Sequence, residues 1–490
     1  MRKKLFIGLL AAAVLSATIG LAACDLFGGG GSDGEPNGVV YTKSEDGTYF
    51  IVSGCDGYLA DITILSKYKT LPVKEIGDRA FSGCDHLESI TISNNITGVR
   101  VSAFTDCKNL RSITVAEGNE TYHSAGNCLI ETATKTLIVG CNSSEIPEDG
   151  SVTQIGARAF AERSAITSMT IPSSVTKIGQ EAFYNCSGLT EITIPDSVTN
   201  MEARAFSGCS ALTGLAVPDS LTGIAEGAFS GCSALSSLTI PGTVTEIGQE
   251  AFFNCSALSS LAIPGSVTEI GKEAFYSCSA LSSLTIPGTV TKVGAGAFGN
   301  CSGITSLTIG TGITQIADKM FMGCTNLTQV TVPSGITGIG AQAFYFCTEL
   351  ESISLPDSLT AIGAGAFEYC LSFTSFTVPD SVESLGQEAF KDCHNLSSIA
   401  LGSGLKEIGA RAFSTCTSLT SLAIPLGVEH FGKELFYGTE VIETITFSGT
   451  RDEWRMIEKD WPWWGGPNEN LYVFEISCSD GRIDRYDQDR

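Results

Sequence analysis

The side chains best suited to chemistry in this sequence are 18 cysteines, four histidines and four tryptophans. His86, His123, His394 and His430 stand far apart, and neither an HExxH nor a C-x-x-C occurs. Metal capture and nucleophilic catalysis need donors at short fixed spacings, so no catalytic residue, metal site or cofactor is expected. Gly338-Ile339-Gly340-Ala341-Gln342-Ala343 imitates a dinucleotide fingerprint, but no crossover unit surrounds it. The cysteines do carry a pattern. From Cys186 to Cys416 they recur at ten successive intervals of 23 residues, and Cys84 and Cys107 stand one such interval apart upstream. All four tryptophans, Trp454, Trp461, Trp463 and Trp464, fall in RDEWRMIEKDWPWWGG near the end. They are the candidate binding residues if their rings are exposed as a stacking platform for sugars, and a cap over the final core if they are buried.

The elements that position these groups follow from the same 23-residue period. One unit reads LSSLAIPGSVTEIGKEAFYSCSA, Leu258 to Ala280, and the frame runs from Ile166 to Glu440 without insertion. A fixed period opening with L-x-x-L-x-L marks a leucine-rich-repeat solenoid. Leu258, Leu261 and Ile263 read as a strand with an apolar inner face, and Pro264 ends it because it has no N–H for a ladder. Val267 and Ile270 return inward, Gly271 permits a tight bend, and Ala274-Phe275 reads as a short helical turn. Phe recurs there at every interval from Phe183 to Phe413, predicting a phenylalanine spine. No coil can bury these faces alone, so stability must come from stacked neighbours. The expected fold is a β-rich solenoid of about seventeen coils with one long parallel sheet, about 80 Å at ~4.8 Å per strand.

Stacked cysteines would lie within the ~4.4–6.8 Å Cα window of a disulfide. Their Cβ vectors, however, run parallel instead of converging. The thirteen ladder cysteines are therefore expected to be free and to pack as small apolar side chains. Cys55, Cys128, Cys141 and Cys478 lie outside the ladder, where a Cys128–Cys141 bridge is open.

Of the 45 outward strand places between Glu88 and Thr446, 34 are Ser or Thr. Such a face offers neither aromatic anchors nor paired carboxylates. It reads either as soluble strand surface or as a hydroxyl array on which many weak contacts add along a polymer. Leu110 and Ile166 lie 56 residues apart, ten more than two coils need. Asn127 to Ile130 with Thr136 to Val139 reads as an inserted hairpin within 120–145, structural or a protruding contact.

With 53 acidic against 29 basic residues, the net charge is 29 − 53 = −24. That charge repels nucleic acid and anionic lipid. Arg2, Lys3 and Lys4 precede an apolar run from Leu5 to Leu21, which reads as an export signal. Leu21-Ala22-Ala23-Cys24 resembles a bacterial lipoprotein signal, with Cys24 the lipidated residue; an uncleaved transmembrane anchor is the other reading. The resulting division is a signal peptide at 1–23, a lipidated Cys and Gly-rich linker at 24–38, an N-terminal capping region at 39–86, repeats at 87–441 and a Trp-rich cap at 442–490.

The unit L-x-x-I-x-I-P-x-x-V-x-x-I-G-x-x-A-F-x-x-C resembles the BspA-like leucine-rich-repeat family of bacterial surface proteins over residues 59 to 447. The resemblance implies an exposed protein that adheres to or binds host or neighbouring-cell proteins or glycans; the Cys24 signal adds a lipid anchor, and the lack of clustered Asp, Glu or His in the repeats adds that it is no enzyme. It would touch membrane only through its lipid. The alternatives are a carbohydrate- or cell-wall-binding envelope protein and a passive surface spacer.

Overall fold

In the computed structural model of the protein, residues 36–465 and 475–483 are described. They form a leucine-rich-repeat β-solenoid of about seventeen turns. Alternation along the long strands is the expected one: in Ser283–Ile286, Ser283 and Thr285 are exposed while Leu284 and Ile286 are buried. This strand pairs in parallel with Ser306–Ile309 at an offset of one coil.

Two local features depart from the sequence reading. The expected single sheet is two parallel ladders, because Val267 and Ile270 belong to a second extended stretch after the proline turn. In it Thr268 N donates to Thr245 O (2.9 Å) and Gly271 N to Ile247 O (2.7 Å). Seven two-residue strands, from Gln315–Ile316 to Glu458–Lys459, form one unbroken ladder, whereas the long-strand face divides into ladders of two to four. Gly271 is needed less for a bend than for close approach, since a Cβ there would run into the Gln249 amide nitrogen of the preceding coil.

The expected helical turn at Ala274-Phe275 is instead a chain of turns. Glu273 and Ser277 adopt left-handed backbone (φ 54° and 62°), which no helix tolerates. Alternate amides then serve different coils. Ala274, Tyr276 and Cys278 donate within the turn, to Gly271, Glu273 and Phe275, while Glu273, Phe275 and Ser277 donate to Ala295, Ala297 and Gly299 of the next coil. Every buried N–H in this corner thus has a partner, and the coil is tied to both neighbours. The corner also aims the phenylalanines inward. Thirteen rings from Phe160 to Phe436 stack continuously, with centroids 4.9–6.1 Å apart.

The ladder cysteines do more than fill space. From Cys107 to Cys416 each Sγ lies 3.0–3.4 Å from a phenylalanine carbonyl 26 residues earlier, as in Cys278 Sγ to Phe252 O. One coil later Thr439, fully buried, donates its hydroxyl to Phe413 O at 2.6 Å. A hydroxyl in the same slot making the same bond identifies the slot as a donor position. Burial pushes the thiols of Cys232, Cys301, Cys347 and Cys416 up to about 12, so these keep the proton they donate.

Cys84 is a correction: it is joined to Cys55 in a disulfide that fastens the strand Phe50–Cys55 to the first Phe-bearing corner. Cys128 and Cys141 are free and buried, so the open Cys128–Cys141 bridge is not formed. Within the expected insertion, Cys128–Glu131 pairs antiparallel with Thr136–Val139, and Tyr122–Ala125 adds a third strand.

The buried core lies in two parts that meet at this insertion. There the slot 23 residues before Cys186 holds Arg163, 2% exposed. Its guanidinium donates to Phe104 O (3.2 Å), Gly140 O (3.1 Å) and Ala161 O (3.3 Å). An arginine reaches across a wider gap than a thiol can, so the donor slot survives where the period breaks. Gly140 is obligatory beside it, because the Phe160 ring occupies the space of a Cβ.

Candidate functional site

Hydroxyls on the solenoid surface fall into two sets. At the second place of the long strand, Thr190, Thr213, Ser236, Ser282, Thr305 and Ser397 donate to the carbonyl one coil earlier, at 2.9–3.4 Å. The second ladder repeats the device, as in Thr268 Oγ1 to Thr245 O at 3.2 Å. These hydroxyls help hold the coils together. At the third and fifth places, Ser168, Thr170, Ser283 and Thr285 are exposed to solvent.

The hydroxyl face opens into a groove of about 990 Å³ beside the inserted strands. Its floor is Ser168–Thr170 and Glu191–Thr193, paired in parallel. Its wall is the segment Asn142 to Glu148, with Ala125 and Gly126 at the end. The wall stands away from the floor for a reason visible in its hydrogen bonds. Asn142 N donates to Leu110 O (2.9 Å) and Asn142 Nδ2 to Lys108 O (2.6 Å), both in the preceding coil. Glu145 N donates to Gly126 O (2.9 Å) and the Ser144 hydroxyl to Asn127 O (2.8 Å), both in the insertion. Pro147 has no N–H to offer. Among the described residues the strand Ser168–Thr170 therefore pairs on one side only. Glu145, Glu148 and Glu191 line the groove with serine and threonine hydroxyls, and among the described residues the lining holds no lysine, arginine or aromatic ring.

The tryptophans do not form one surface. Trp454 and Trp463 are 1% and 2% exposed, Trp464 is half-buried and Trp461 is 63% exposed. Trp454 sits on the helix Arg451–Met456, whose first turn is closed by reciprocal bonds between Thr450 and Glu453. Its ring packs on Phe431 (5.7 Å), Phe447 (5.4 Å) and Trp463 (5.9 Å). Glu434, Leu435 and Phe436 donate their amides to Pro462, Trp463 and Trp464, so this segment supplies carbonyls to the last phenylalanine corner. Lys459 Nζ donates to Trp454 O (2.9 Å) and Ile457 O (2.8 Å), and burial lowers it to about 8. Cys24 lies outside the described residues.

With this geometry in place, the chain can be set beside known proteins. A profile described as BspA type leucine rich repeat region, in six copies, matches residues 53–151, 153–282, 245–372 and 337–455. The chain belongs to the BspA-type leucine-rich-repeat family. A leucine-rich repeat protein from Bacteroides ovatus is similar in structure, at 25% identity and TM-score 0.58, covering 91% of this chain and all of that one. A leucine rich cell surface protein from Faecalibacterium prausnitzii has 23% identity and TM-score 0.34, covering 86% of this chain and 96% of its own. The pneumococcal vaccine antigen PcpA has 17% identity and TM-score 0.36, covering 91% and 92%. No curated protein matches the chain.

Sequence reasoning missed the groove, Arg163 and the Cys55–Cys84 link. The BspA-type period did contain a signal for the second: position 163 is a ladder slot occupied by arginine, as position 439 is one occupied by threonine. For the groove the signal was the ten surplus residues, which announced a break without saying which way the connecting segment leans.

Proposed function

We propose that this BspA-type protein is exported, anchored to a bacterial membrane through lipid on Cys24, and binds macromolecules of host or neighbouring cells without catalysis. The observation that supports this reading best is the groove. It is a recess of about 990 Å³, and it sits where an otherwise uniform hydroxyl face is interrupted by an insertion. Specificity is easier to build at such an irregularity than on identical coils. Many weak contacts along the neighbouring face would add to a grip centred there. Among the described residues no group of three or more His, Cys, Asp or Glu could hold a metal ion. The cell-surface description of the Faecalibacterium protein is consistent with an exposed position.

Saturation binding of the purified chain to mucin, extracellular-matrix proteins and isolated cell-wall polysaccharide tests the binding role. Saturable binding to a host protein or mucin is expected; binding to cell wall alone transfers the role to the envelope, and no binding leaves a spacer. The anchor has its own test. Cys24→Ser is expected to move the protein from the membrane fraction to the soluble extracytoplasmic fraction, and unchanged membrane association would refute lipid anchoring.

A further inference from the structure

Resting on that reading, we propose that the groove takes an extended, positively charged peptide segment of the partner, which adds as a strand to the open edge of Ser168–Thr170. Three observations converge on this occupant. First, the strand pairs with Glu191–Thr193 on one side only, and the segment Asn142 to Glu148 spends its hydrogen bonds on the preceding coil and the insertion. Elsewhere on this face a break in the ladder can fall between coils that stay joined, as by Thr213 N to Thr190 O. An unpaired edge beside a cavity of about 990 Å³ has room and backbone groups for a guest strand, the geometry of recognition by strand addition.

Second, the groove is lined by Glu145, Glu148 and Glu191 with no basic side chain among the described residues of the lining, on a chain of net charge −24. A cationic segment would be drawn in and oriented, and an anionic one repelled. Third, the described residues of the lining include no aromatic ring. Sugar sites commonly offer a ring face for stacking, so the lining favours a peptide over an oligosaccharide. Ile146, Met169 and Ile192, packed into the core, contribute the apolar part of its lining.

The test is a selection of random dodecapeptides displayed on phage against the purified chain, followed by synthesis of the enriched sequence. Enrichment of lysine- or arginine-containing peptides is expected. Ser168→Trp fills the floor at an exposed place and should abolish binding, with unchanged circular dichroism showing that the fold survives. Glu145→Gln with Glu148→Gln and Glu191→Gln should weaken binding about tenfold and flatten its salt dependence. N-methylation of alternate peptide amides should also abolish binding, which charge attraction alone would not predict. The proposal is overturned if nothing is enriched, if enriched peptides lack basic residues, if they bind the Ser168→Trp chain equally well, or if neutral oligosaccharides bind the groove instead. Macromolecular binding that persists in Ser168→Trp would keep the proposed function and reject this site.

Discussion

Raising the pH from 7 to 10 should dismantle the regular part of the solenoid. Ten consecutive ladder cysteines, Cys209 to Cys416, are free, buried and donate to backbone carbonyls. Each thiol is pushed above its ordinary value of 9.0, at Cys209 by its hydrogen bond with the Cys186 thiol and by burial and at the others by burial, to about 12 at Cys232, Cys301, Cys347 and Cys416 and well above 9.0 at the other six. At pH 10 the unfolded chain has released protons that the folded coil still holds. The unfolded state then binds fewer protons, so stability falls as pH rises: it is complete below about pH 9 and drains away toward 12. One pH unit above the ordinary value costs about 1.4 kcal/mol per thiol, hence about 6 kcal/mol over the four raised to about 12, and the other six act in the same direction. Lys459, lowered to about 8, acts in the opposite direction between 8 and 10.5, but it is a single half-buried group. Partly buried Tyr276 and Tyr345, raised by burial, add to the loss only above pH 10. Circular dichroism and the ultraviolet thiolate band, followed together against pH, should change together. Replacing Cys278, Cys301 and Cys324 with serine keeps the donor, as Thr439 shows, and removes three titrating groups. That variant should lose less stability between pH 7 and pH 10 than the unaltered chain. Equal alkaline midpoints for both chains would refute the reasoning, as would thiolate appearing while the fold stays intact.

Three further outcomes are expected. Thiol titration in denaturant without reductant should find the fifteen cysteines from Cys107 to Cys478 free and two more, Cys55 and Cys84, only after reduction; a count near zero would mean the ladder is oxidised. Arg163→Met strips three buried carbonyls of their donor and should cost about 3–5 kcal/mol, visible by calorimetry as a transition split near the insertion. Gly126→Ala places a Cβ on the Glu145 carbonyl at a left-handed position (φ +55°), so it should displace the groove wall and speed proteolysis at 142–148 while the repeats melt unchanged.

How much of this was legible depended on whether a side chain repeats in register. Phe275, Ile270 and Leu258 could be assigned inward places from sequence because identical neighbours above and below require it. The corner could not be read in the same way. Ala274-Phe275 carries ordinary helix formers, and nothing in Glu273 or Ser277 announces a left-handed backbone; the demand comes from the Ala297 and Gly299 carbonyls of the next coil. Tertiary hydrogen bonding overrode local preference there. Cysteine likewise reads as a small apolar filler until Thr439 in the same slot exposes the shared donor role.

The groove and Arg163 are two consequences of one event. In a solenoid each coil is held by its neighbours, so an insertion that breaks the period weakens coupling along the whole stack at that point. Here the break interrupts the phenylalanine spine between Phe104 and Phe160, and the Asn142 to Glu148 segment withdraws toward the preceding coil. A chain under no pressure to keep the recess could close the gap by restoring 23 residues. This one instead buries a guanidinium, a costly group to desolvate, and satisfies it with three carbonyls from both sides of the seam. Stabilising the irregularity instead of erasing it is what a binding role for the groove requires. Arg163→Met should accordingly loosen the groove as well as the stack, and ligand binding that is fully retained after the transition has split would separate the two.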